Sequence, residues 1–344
     1  MPWRPMPRKR RIDTRIDLSR VRTYPLARRR SKVSRTSLAK LPKPGMRIAD
    51  FLDSLPDILA AHDLKAIANE IAARHRAGRL IVLGMGAHPI KVGLSPLIID
   101  FMERGILSAV AMNGAGIIHD FELAYHGETS EDVAATLRAG RFGMARETGQ
   151  FLNRAIAAGA EKGLGTAVGE AIAHAELPHR RLSILAAGIR LGVPVTVHVG
   201  IGADIIHMHP SADGAAIGTA SLADFHRLAG IAQSLDRGVY VNLGSAVMMP
   251  EVFLKALNLA RNVGKKVDGL LTVDMDFIRH YRPLVNVVQR PTDPGGQGYQ
   301  LVGHHEIMFP LLCAAVLDAM QKTNRRGRKG RGSNPSTAAE DSRV

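Results

Sequence analysis

Histidine and aspartate side chains are concentrated in one stretch that follows a predicted strand. His198, Asp204, His207, His209 and Asp213 all fall there, and His207 and His209 share one face if the segment is extended. Such groups can transfer protons, hold a cationic substrate or bind zinc, iron or manganese. No H-x-x-x-H pair or other specific metal spacing occurs, so a polar substrate pocket, a metal site and structurally satisfied histidines all stay open.

A second group of ionisable residues opens the last predicted helix. Gly303 is followed there by His304, His305 and Glu306. Because histidine titrates near neutral pH, His207 and His304 are the predicted candidates for a general base. Glu306 is the residue best placed to interact with the helix dipole. Capping and surface roles for this group remain the alternative.

Glycine-rich turns follow several of the predicted strands. Such turns let phosphate oxygens approach backbone N–H groups and helix N-termini. None of them completes the G-x-G-x-x-G fingerprint of dinucleotide-binding proteins, and tight packing of the turns against the sheet is an alternative explanation. Their recurrence favours a site for a phosphate-bearing cofactor, and the predicted cofactor-binding residues are Gly84, Gly86, Asn113, Gly114, Gly116, Gly244 and Ser245.

Strand, glycine turn and helix recur along the chain at spacings that right-handed parallel crossovers require. Ser95 and Pro96 begin a predicted helix that Gly105 ends. The pattern predicts a doubly wound, mostly parallel α/β sheet of the Rossmann type. Residues 48–321 are predicted to form a single domain. Apolar, β-branched runs predict strands at residues 80–83, 107–112, 193–199, 239–243, 270–273 and 284–288.

The net charge of +15 is carried by the two ends of the chain. Residues 1–47 and 322–344 hold dense runs of arginine and lysine, while the segment between them is slightly acidic. Such runs cannot bury apolar area, so both ends are predicted to be largely disordered tails. The tails would attract nucleic acid weakly through their charge, or they only keep the protein in solution.

Composition also limits the class of protein. The single cysteine, Cys313, argues against a disulfide framework and against a cysteine metal cluster. No apolar run reaches the ~18 residues that span a bilayer, so no membrane association is predicted. The first residues lack the apolar middle region of a secretory signal, and a cytoplasmic location is the default prediction.

Several segments taken together resemble deoxyhypusine synthase. That family binds NAD in a Rossmann-like homotetramer and transfers the aminobutyl group of spermidine to a lysine of a translation factor. The resemblance therefore implies NAD as the cofactor, a homotetramer, Asp204 as the residue that holds a cationic amine, and Asn286 as a cofactor contact. The likeness covers about residues 80–320 and rests on Leu80 to Gly84, Asn113 to Asp120, Asp204 to His209, Leu243 to Val247, Asn286 with Gln289, Asp293 to Gly298, and Phe309 to Leu312.

The imine-forming lysine of that family has no counterpart here. No lysine lies between Lys266 and Lys322, and the segment that carries it in the family is shortened away. The family's paired glutamates are replaced by Ile118 and His119. A lysine imine needs a primary amine, which neither arginine nor histidine supplies.

The leading prediction is a deoxyhypusine synthase-like enzyme that performs NAD-dependent dehydrogenation or transfer on an amine or polyamine substrate without a lysine imine. One alternative is a metal-dependent hydrolase or lyase that uses His198, His207, His209 and Asp213. Another is a non-catalytic nucleotide- or RNA-associated protein whose function lies in the basic tails.

Overall fold

Six strands form the centre of the protein. In the computed structural model, the backbone is described for residues 14–330 and side-chain environments as far as residue 322. Four of the strands, β1, β3, β4 and β5, are buried at every position, as expected of strands that are covered on both faces. The strands are β1 (Ile81–Met85), β2 (Ala109–Asn113), β3 (Val195–His198), β4 (Val239–Leu243), β5 (Leu271–Asp276) and β6 (Gln297–Val302).

The strand order is β3-β2-β1-β4-β5-β6, and every neighbouring pair is parallel. The chain builds outward from β1 to β3, then returns to the other side of β1 and builds outward from β4 to β6. The order therefore reverses between β1 and β4, which is the arrangement of dinucleotide-binding doubly wound sheets. The predicted α/β fold class is confirmed.

Helices connect the strands and cover the sheet. The helix predicted from Ser95 is confirmed, with its proline in the first turn. The helices are α1 (Ile48–Ser54), α2 (Leu59–Arg76), α3 (His88–Lys91), α4 (Ser95–Glu103), α5 (Gly114–His126), α6 (Val133–Leu137), α7 (Arg146–Gly159), α8 (Leu164–His174), α9 (Ile184–Leu191), α10 (Gly214–Ala232), α11 (Met248–Asn262), α12 (Tyr281–Pro283) and α13 (His305–Gly330).

Alternate residues of β1, β2 and β4 contribute to two separate hydrophobic cores. Leu83 and Met85 pack in one core with α2, α4, α5, α7, α8, α9 and α13. Val82 and Tyr240 pack in the other core with α10 and α11. Because successive side chains of a strand point to opposite faces, a strand with helices on both faces is apolar along almost its whole length.

The strand predicted at residues 284–288 is wrong. Residues Leu284–Gln289 form a turn of π-helix, and the sixth strand is β6 instead. The β-branched valines favour a strand, but Val287 is fully buried against the core that contains α11. β6 was missed because it lies at the edge of the sheet, pairs only with β5 and leaves most of its side chains partly exposed.

The two chain ends differ in what the structure describes. Residues 14–47 contain three short 3-10 turns and mostly exposed side chains. Backbone hydrogen bonds from Lys40 N to Ser54 O (2.9 Å) and from Asp57 N to Ser37 O (3.0 Å) attach this segment to the domain. The remaining predicted tail residues, 1–13 and 331–344, lie outside the described part of the chain.

The domain boundary predicted after residue 321 falls inside α13, which continues to Gly330. The Lys322 ammonium donates to both carboxylate oxygens of Asp53, at 2.9 and 3.1 Å, so this residue contacts the domain. Within the described residues, no helix is both long and apolar enough to cross a membrane.

Candidate functional site

The glycine turns after β1 and β4 meet where the strand order reverses. Gly86 N donates a hydrogen bond to Leu243 O at 3.0 Å. A Cβ placed on Gly86 would lie 2.2 Å from Gly244 O, and Gly244 itself has a φ of +62°. Both positions therefore require glycine, one for the close approach and one for its left-handed backbone. Ligands of open α/β sheets bind in the crevice above this point.

Four side chains gather at this turn, and we call them the His305 cluster (His88, Asp276, Phe277 and His305). His88 follows β1, Asp276 and Phe277 stand at the end of β5, and His305 begins α13. His305 has only 1% of its surface exposed. Its ring stacks on Phe277 at 4.4 Å and meets His88 edge-on at 5.4 Å. Its Nε2 lies 3.8 Å from Asp276 Oδ1, and within the described part of the chain neither ring nitrogen has a hydrogen-bond partner.

Burial sets the protonation state of the two histidines in this cluster. It lowers the pKa of His305, while the nearby Asp276 carboxylate acts in the opposite direction. It also lowers the pKa of His88, and the positive charge of Lys91 adds to this effect. Both rings are consequently neutral at pH 7, and a neutral imidazole with a free nitrogen can accept a proton.

A second group of unpartnered polar atoms lies where the loop after β3 covers the start of α5. Asp204 is 8% exposed, and its Oδ2 has no hydrogen-bond partner among the residues that the structure describes. A Cβ placed on Gly114 would lie 2.0 Å from this oxygen, so the carboxylate packs against the first residue of α5. The Asn113 side chain does not cap the helix, and its Oδ1 is also unpartnered. Burial raises the pKa of Asp204 to about 6.

His207 is held in one tautomer by the same loop. Gly202 N donates to His207 Nδ1 at 3.2 Å, so the neutral ring carries its proton on Nε2. That Nε2 is buried without a partner, and burial lowers the pKa of the ring. In this arrangement His207 is a hydrogen-bond donor, whereas the sequence predicted it as a general base.

The other predicted base, His304, faces solvent. Its side chain is 71% exposed, and its Nδ1 lies 3.7 Å from Glu306 Oε1. The neighbouring His305 is the buried residue of the pair. Sequence reasoning missed His305, His88, Asp276 and Phe277 as a group. A usable signal was present, since Asp276 and Phe277 stand where β5 ends and strand ends carry the sites of such sheets.

Some of the predicted cofactor-binding residues serve packing instead. Gly84 lies within β1, where a Cβ would meet the Tyr240 hydroxyl at 2.0 Å. Gly116 packs against Met112, whose Sδ would lie 2.7 Å from a Cβ. Gly84 in particular makes room for a neighbouring side chain inside the sheet and does not form a turn.

Ser245 and Asn286 are engaged by the protein. Ser245 Oγ accepts a hydrogen bond from Met249 N at 3.1 Å and so caps the start of α11. Asn286 Nδ2 donates to Glu251 Oε1 at 2.9 Å, and its Oδ1 accepts from Arg290 Nη1 at 2.8 Å. Of the predicted cofactor residues, Gly86 and Gly244 meet at the switch point, and Asn113 and Gly114 lie together at the end of the neighbouring strand β2.

The residues of the predicted metal site point to separate partners. His198 Nε2 pairs with Thr196 Oγ1 at 3.0 Å, and His209 Nδ1 with Ser211 Oγ at 2.8 Å. Asp213 accepts from two backbone N–H groups and caps α10. Across the part of the chain that the structure describes, no three His, Cys, Asp or Glu residues are gathered in a way that could hold a metal ion. The structure does not assemble the site of the hydrolase alternative.

Comparison with known proteins identifies the fold and no closer relationship. No protein-family model and no curated protein sequence matches the chain. A solved structure described as a conserved LOR/SDH protein from Methanococcus maripaludis S2 aligns with a TM-score of 0.50 and 14% identity, covering 76% of this chain and 69% of that one. The parallel α/β fold is therefore shared with a protein of different sequence.

Two further structures align more weakly. One is AgrE in a ternary complex with ornithine and NAD+, at TM-score 0.46 and 15% identity, covering 76% of this chain and 33% of that one. The other is described as a deoxyhypusine synthase from Entamoeba histolytica, at TM-score 0.47 and 11% identity, covering 79% and 94%. The chain thus spans about a third of the length of AgrE.

Proposed function

We propose that the protein is a NAD-dependent enzyme that dehydrogenates an amine-bearing small molecule or transfers a group from it. The carrying observation is the reversal of strand order at the touching turns of Gly86 and Gly244, beside buried polar atoms that have no partner among the described residues. Unpartnered buried polar atoms are costly, and a bound ligand is one way to satisfy them.

The residues at this edge fit a dinucleotide. The Asn113 side chain does not cap the start of α5, so N–H groups of the first turn would bind a phosphate. Lys91, at the end of α3, lies close enough to depress the pKa of both His88 and His119, after burial as the main cause. Positive charge and free N–H groups at one edge favour binding of a pyrophosphate.

Asp204 would hold the cationic amine. Its carboxylate is buried and lacks a partner on Oδ2, so an ammonium group would supply the missing hydrogen bond and opposite charge. Amine binding would lower the pKa of Asp204 from about 6 and fix the carboxylate in its charged form. His207, with its Nε2–H free, would donate a hydrogen bond in the same loop.

His305 would accept the proton that leaves a second substrate nitrogen, the one that is dehydrogenated, while Asp204 holds the first. Its ring is neutral, both nitrogens are free, and Asp276 is placed to stabilise the imidazolium that forms. Bound NAD+ would supply the hydride acceptor. Asp204 packs on Gly114 at the end of β2, and His305 packs on Gly244 at the end of β4. Because β1 lies between these two strands, the two groups stand about 10 Å apart, a distance that a small ligand can bridge. No lysine between Lys266 and Lys322 is needed in this scheme.

Cofactor binding is tested with a pair of matched substitutions at Ala87, which follows the Gly86 turn and precedes α3. Ala87→Asp adds a negative charge beside the proposed pyrophosphate, while Ala87→Asn adds the same volume without charge. NADH binding, followed by its fluorescence, is expected to weaken roughly tenfold or more in the aspartate variant and to survive in the asparagine variant. Failure of the unchanged protein to bind NADH would refute the proposal.

Amine binding is tested separately with Asp204→Asn, which keeps the shape of the side chain. Calorimetric titration with spermidine and with ornithine, in the presence of NAD+, is expected to show binding to the unchanged protein that the variant loses. NADH binding by the same variant is the control, because Asp204 is not assigned to the cofactor. Equal amine binding by both proteins would remove Asp204 from the site.

A homotetramer is part of the proposal through the resemblance of the sequence to deoxyhypusine synthase. Native mass spectrometry of the full chain measures the oligomer mass and any retained nucleotide together. A tetramer with bound NAD supports the proposal, and a monomer would contradict this part of it.

A further inference from the structure

A cavity of about 760 Å³ opens at the amino-terminal edge of the sheet, opposite the candidate site. Its walls come from the end of α2 and from the segments that precede β1, β4, β5 and β6. Its volume lies within the ~300–1,000 Å³ range of small-molecule sites. None of the functions assigned above uses this cavity.

The lining of the cavity is positively charged. Four cationic side chains and two carboxylates line it, which gives a net charge of +2, and they are Arg74, Arg79, Arg237, Lys266, Asp236 and Asp268. Within the described residues, the guanidinium groups of Arg79 and Arg237 have no hydrogen-bond or ion-pair partner. Free guanidinium groups match the geometry of phosphate oxygens.

Arg74 fixes the wall of the cavity. Its Nη1 donates to the carbonyl oxygens of Arg237, Gly238 and Gly269 at 2.9, 3.0 and 2.7 Å. Its Nε donates to Glu70 at 3.2 Å. This partly buried cation therefore joins the segments before β4 and β5 and neutralises carbonyl oxygens that would otherwise repel an anion. The cavity is thus built on fixed backbone segments.

Arg237 adopts a backbone conformation that favours glycine. Its φ is +53°, and its N–H is fixed by a hydrogen bond to Asp268 O at 2.9 Å. A side chain at a left-handed position costs free energy, and such strain is found more often where a residue has a function. Stability alone would favour glycine here, whereas arginine supplies a guanidinium to the cavity.

We propose that this cavity binds a small molecule with two or more phosphate groups, held by Arg79, Arg237 and Lys266. No aromatic side chain is among its lining residues, so a nucleotide would be recognised through its phosphates and not by stacking of its base. Inorganic pyrophosphate and a nucleoside diphosphate share this chemistry.

The test is calorimetric titration of the full chain with inorganic pyrophosphate, ADP and orthophosphate. Pyrophosphate and ADP are expected to bind with similar affinity and orthophosphate at least tenfold more weakly, because it contacts fewer cations. Arg237→Gly removes one guanidinium and relieves the positive φ, so affinity is expected to fall roughly tenfold or more while the unfolding temperature is maintained. Arg79→Ala is expected to act in the same direction.

Two controls separate this site from the proposed NAD site. Arg76→Ala removes an exposed arginine that lies on the same helix outside the cavity, and pyrophosphate affinity is expected to stay unchanged. Because NAD also contains a pyrophosphate, Arg237→Gly must retain NADH binding and Ala87→Asp must retain pyrophosphate binding. Absence of pyrophosphate binding, or affinity unchanged in both cavity variants, would overturn the proposal. Tighter binding of single-stranded RNA than of pyrophosphate, lost in the same variants, would also overturn it.

Discussion

Two buried aspartates near β3 have the same pKa shift but differ in their hydrogen-bond partners. Burial raises the pKa of both Asp224, in α10, and Asp204, in the loop after β3, to about 6. Asp224 accepts hydrogen bonds from Gly165 N, Val197 N and Arg227 Nη1 at 2.8, 2.8 and 2.9 Å. Asp204 has an oxygen with no partner. The raised pKa therefore does not distinguish the two aspartates, whereas the missing hydrogen-bond partner does.

Asp120 resembles Asp224 in being buried with its hydrogen bonds satisfied. It is fully buried and accepts from Ser183 Oγ at 2.5 Å and from Ile184 N and Leu185 N at 2.7 and 3.3 Å. In this way it caps the start of α9 from α5. Satisfied carboxylates of this kind hold helices in place. Of the three aspartates, Asp204 is the one with a buried oxygen that has no partner among the described residues.

The largest expected effect is at Asp224. Asp224→Ala leaves two backbone N–H groups and one guanidinium without their acceptor, so the free energy of unfolding is expected to fall by about 3–5 kcal/mol. Urea denaturation measures this loss. A loss below about 1 kcal/mol would show that Asp224 does not stabilise the fold, and the contrast between Asp224 and Asp204 would no longer hold.

A smaller loss is expected at Asp120. Asp120→Asn keeps one acceptor oxygen but turns an amide toward the N–H groups of α9, and about 1–3 kcal/mol of stability is expected to be lost. The midpoint of urea denaturation, at unchanged m-value, is the measurement. Stability equal to that of the unchanged protein would contradict the capping role.

Asp204→Asn is expected to act in the opposite direction and to depend on pH. Its pKa of about 6 in the folded protein exceeds the ~3.9 of the unfolded chain, so the folded state binds the extra proton and native stability falls as pH rises from about 4 to about 6. Asparagine cannot ionise. The variant should therefore match the unchanged protein near pH 4 and exceed it by up to about 3 kcal/mol at pH 7.

Urea denaturation of both proteins at several pH values between 4 and 7 checks this expectation. A constant difference across the range would mean that Asp204 does not titrate in that window, and a less stable variant at pH 7 would place Asp204 with the structural aspartates.

The smallest effect is expected at Tyr240. Its ring stacks on Phe253 at 3.6 Å, but its buried hydroxyl has no hydrogen-bond partner among the described residues. Tyr240→Phe keeps the stacking and removes the unsatisfied hydroxyl, so stability is expected to stay equal or to rise by up to about 1 kcal/mol, as measured by thermal unfolding. A loss above this value would reveal a hydrogen bond that the hydroxyl makes.

Much of the fold followed from local patterns. The strand at residues 239–243 was predicted with its observed bounds, because both faces of a central strand are covered and every residue is apolar or buried. Edge strand β6 and the π-helical turn before it were not predicted. The valine-rich run at Leu284–Gln289 favours a strand but forms a π-helix, whereas the glycine-rich run that leads into β6 favours a loop but enters the sheet.

The candidate site was predictable in part. The sequence pointed to the turns at Gly86 and Gly244 because they directly follow strands. It pointed to Asp204 through the histidine- and aspartate-rich stretch after β3 and through the resemblance to deoxyhypusine synthase. It did not distinguish His304 from His305. Adjacent residues at a helix start differ by about 100° in direction, and only the packing of α13 over Gly244 decides which ring is buried.

The parallel α/β class, the glycine turns at the strand ends and the absence of lysine between Lys266 and Lys322 can be read from the sequence alone, since each depends on residue type and local spacing. The tertiary structure decided which polar groups have partners. His88, Asp276 and His305 come from three separate strand ends, and Arg79 and Arg237 from two more segments. Their proximity depends on the strand order, which no local pattern records.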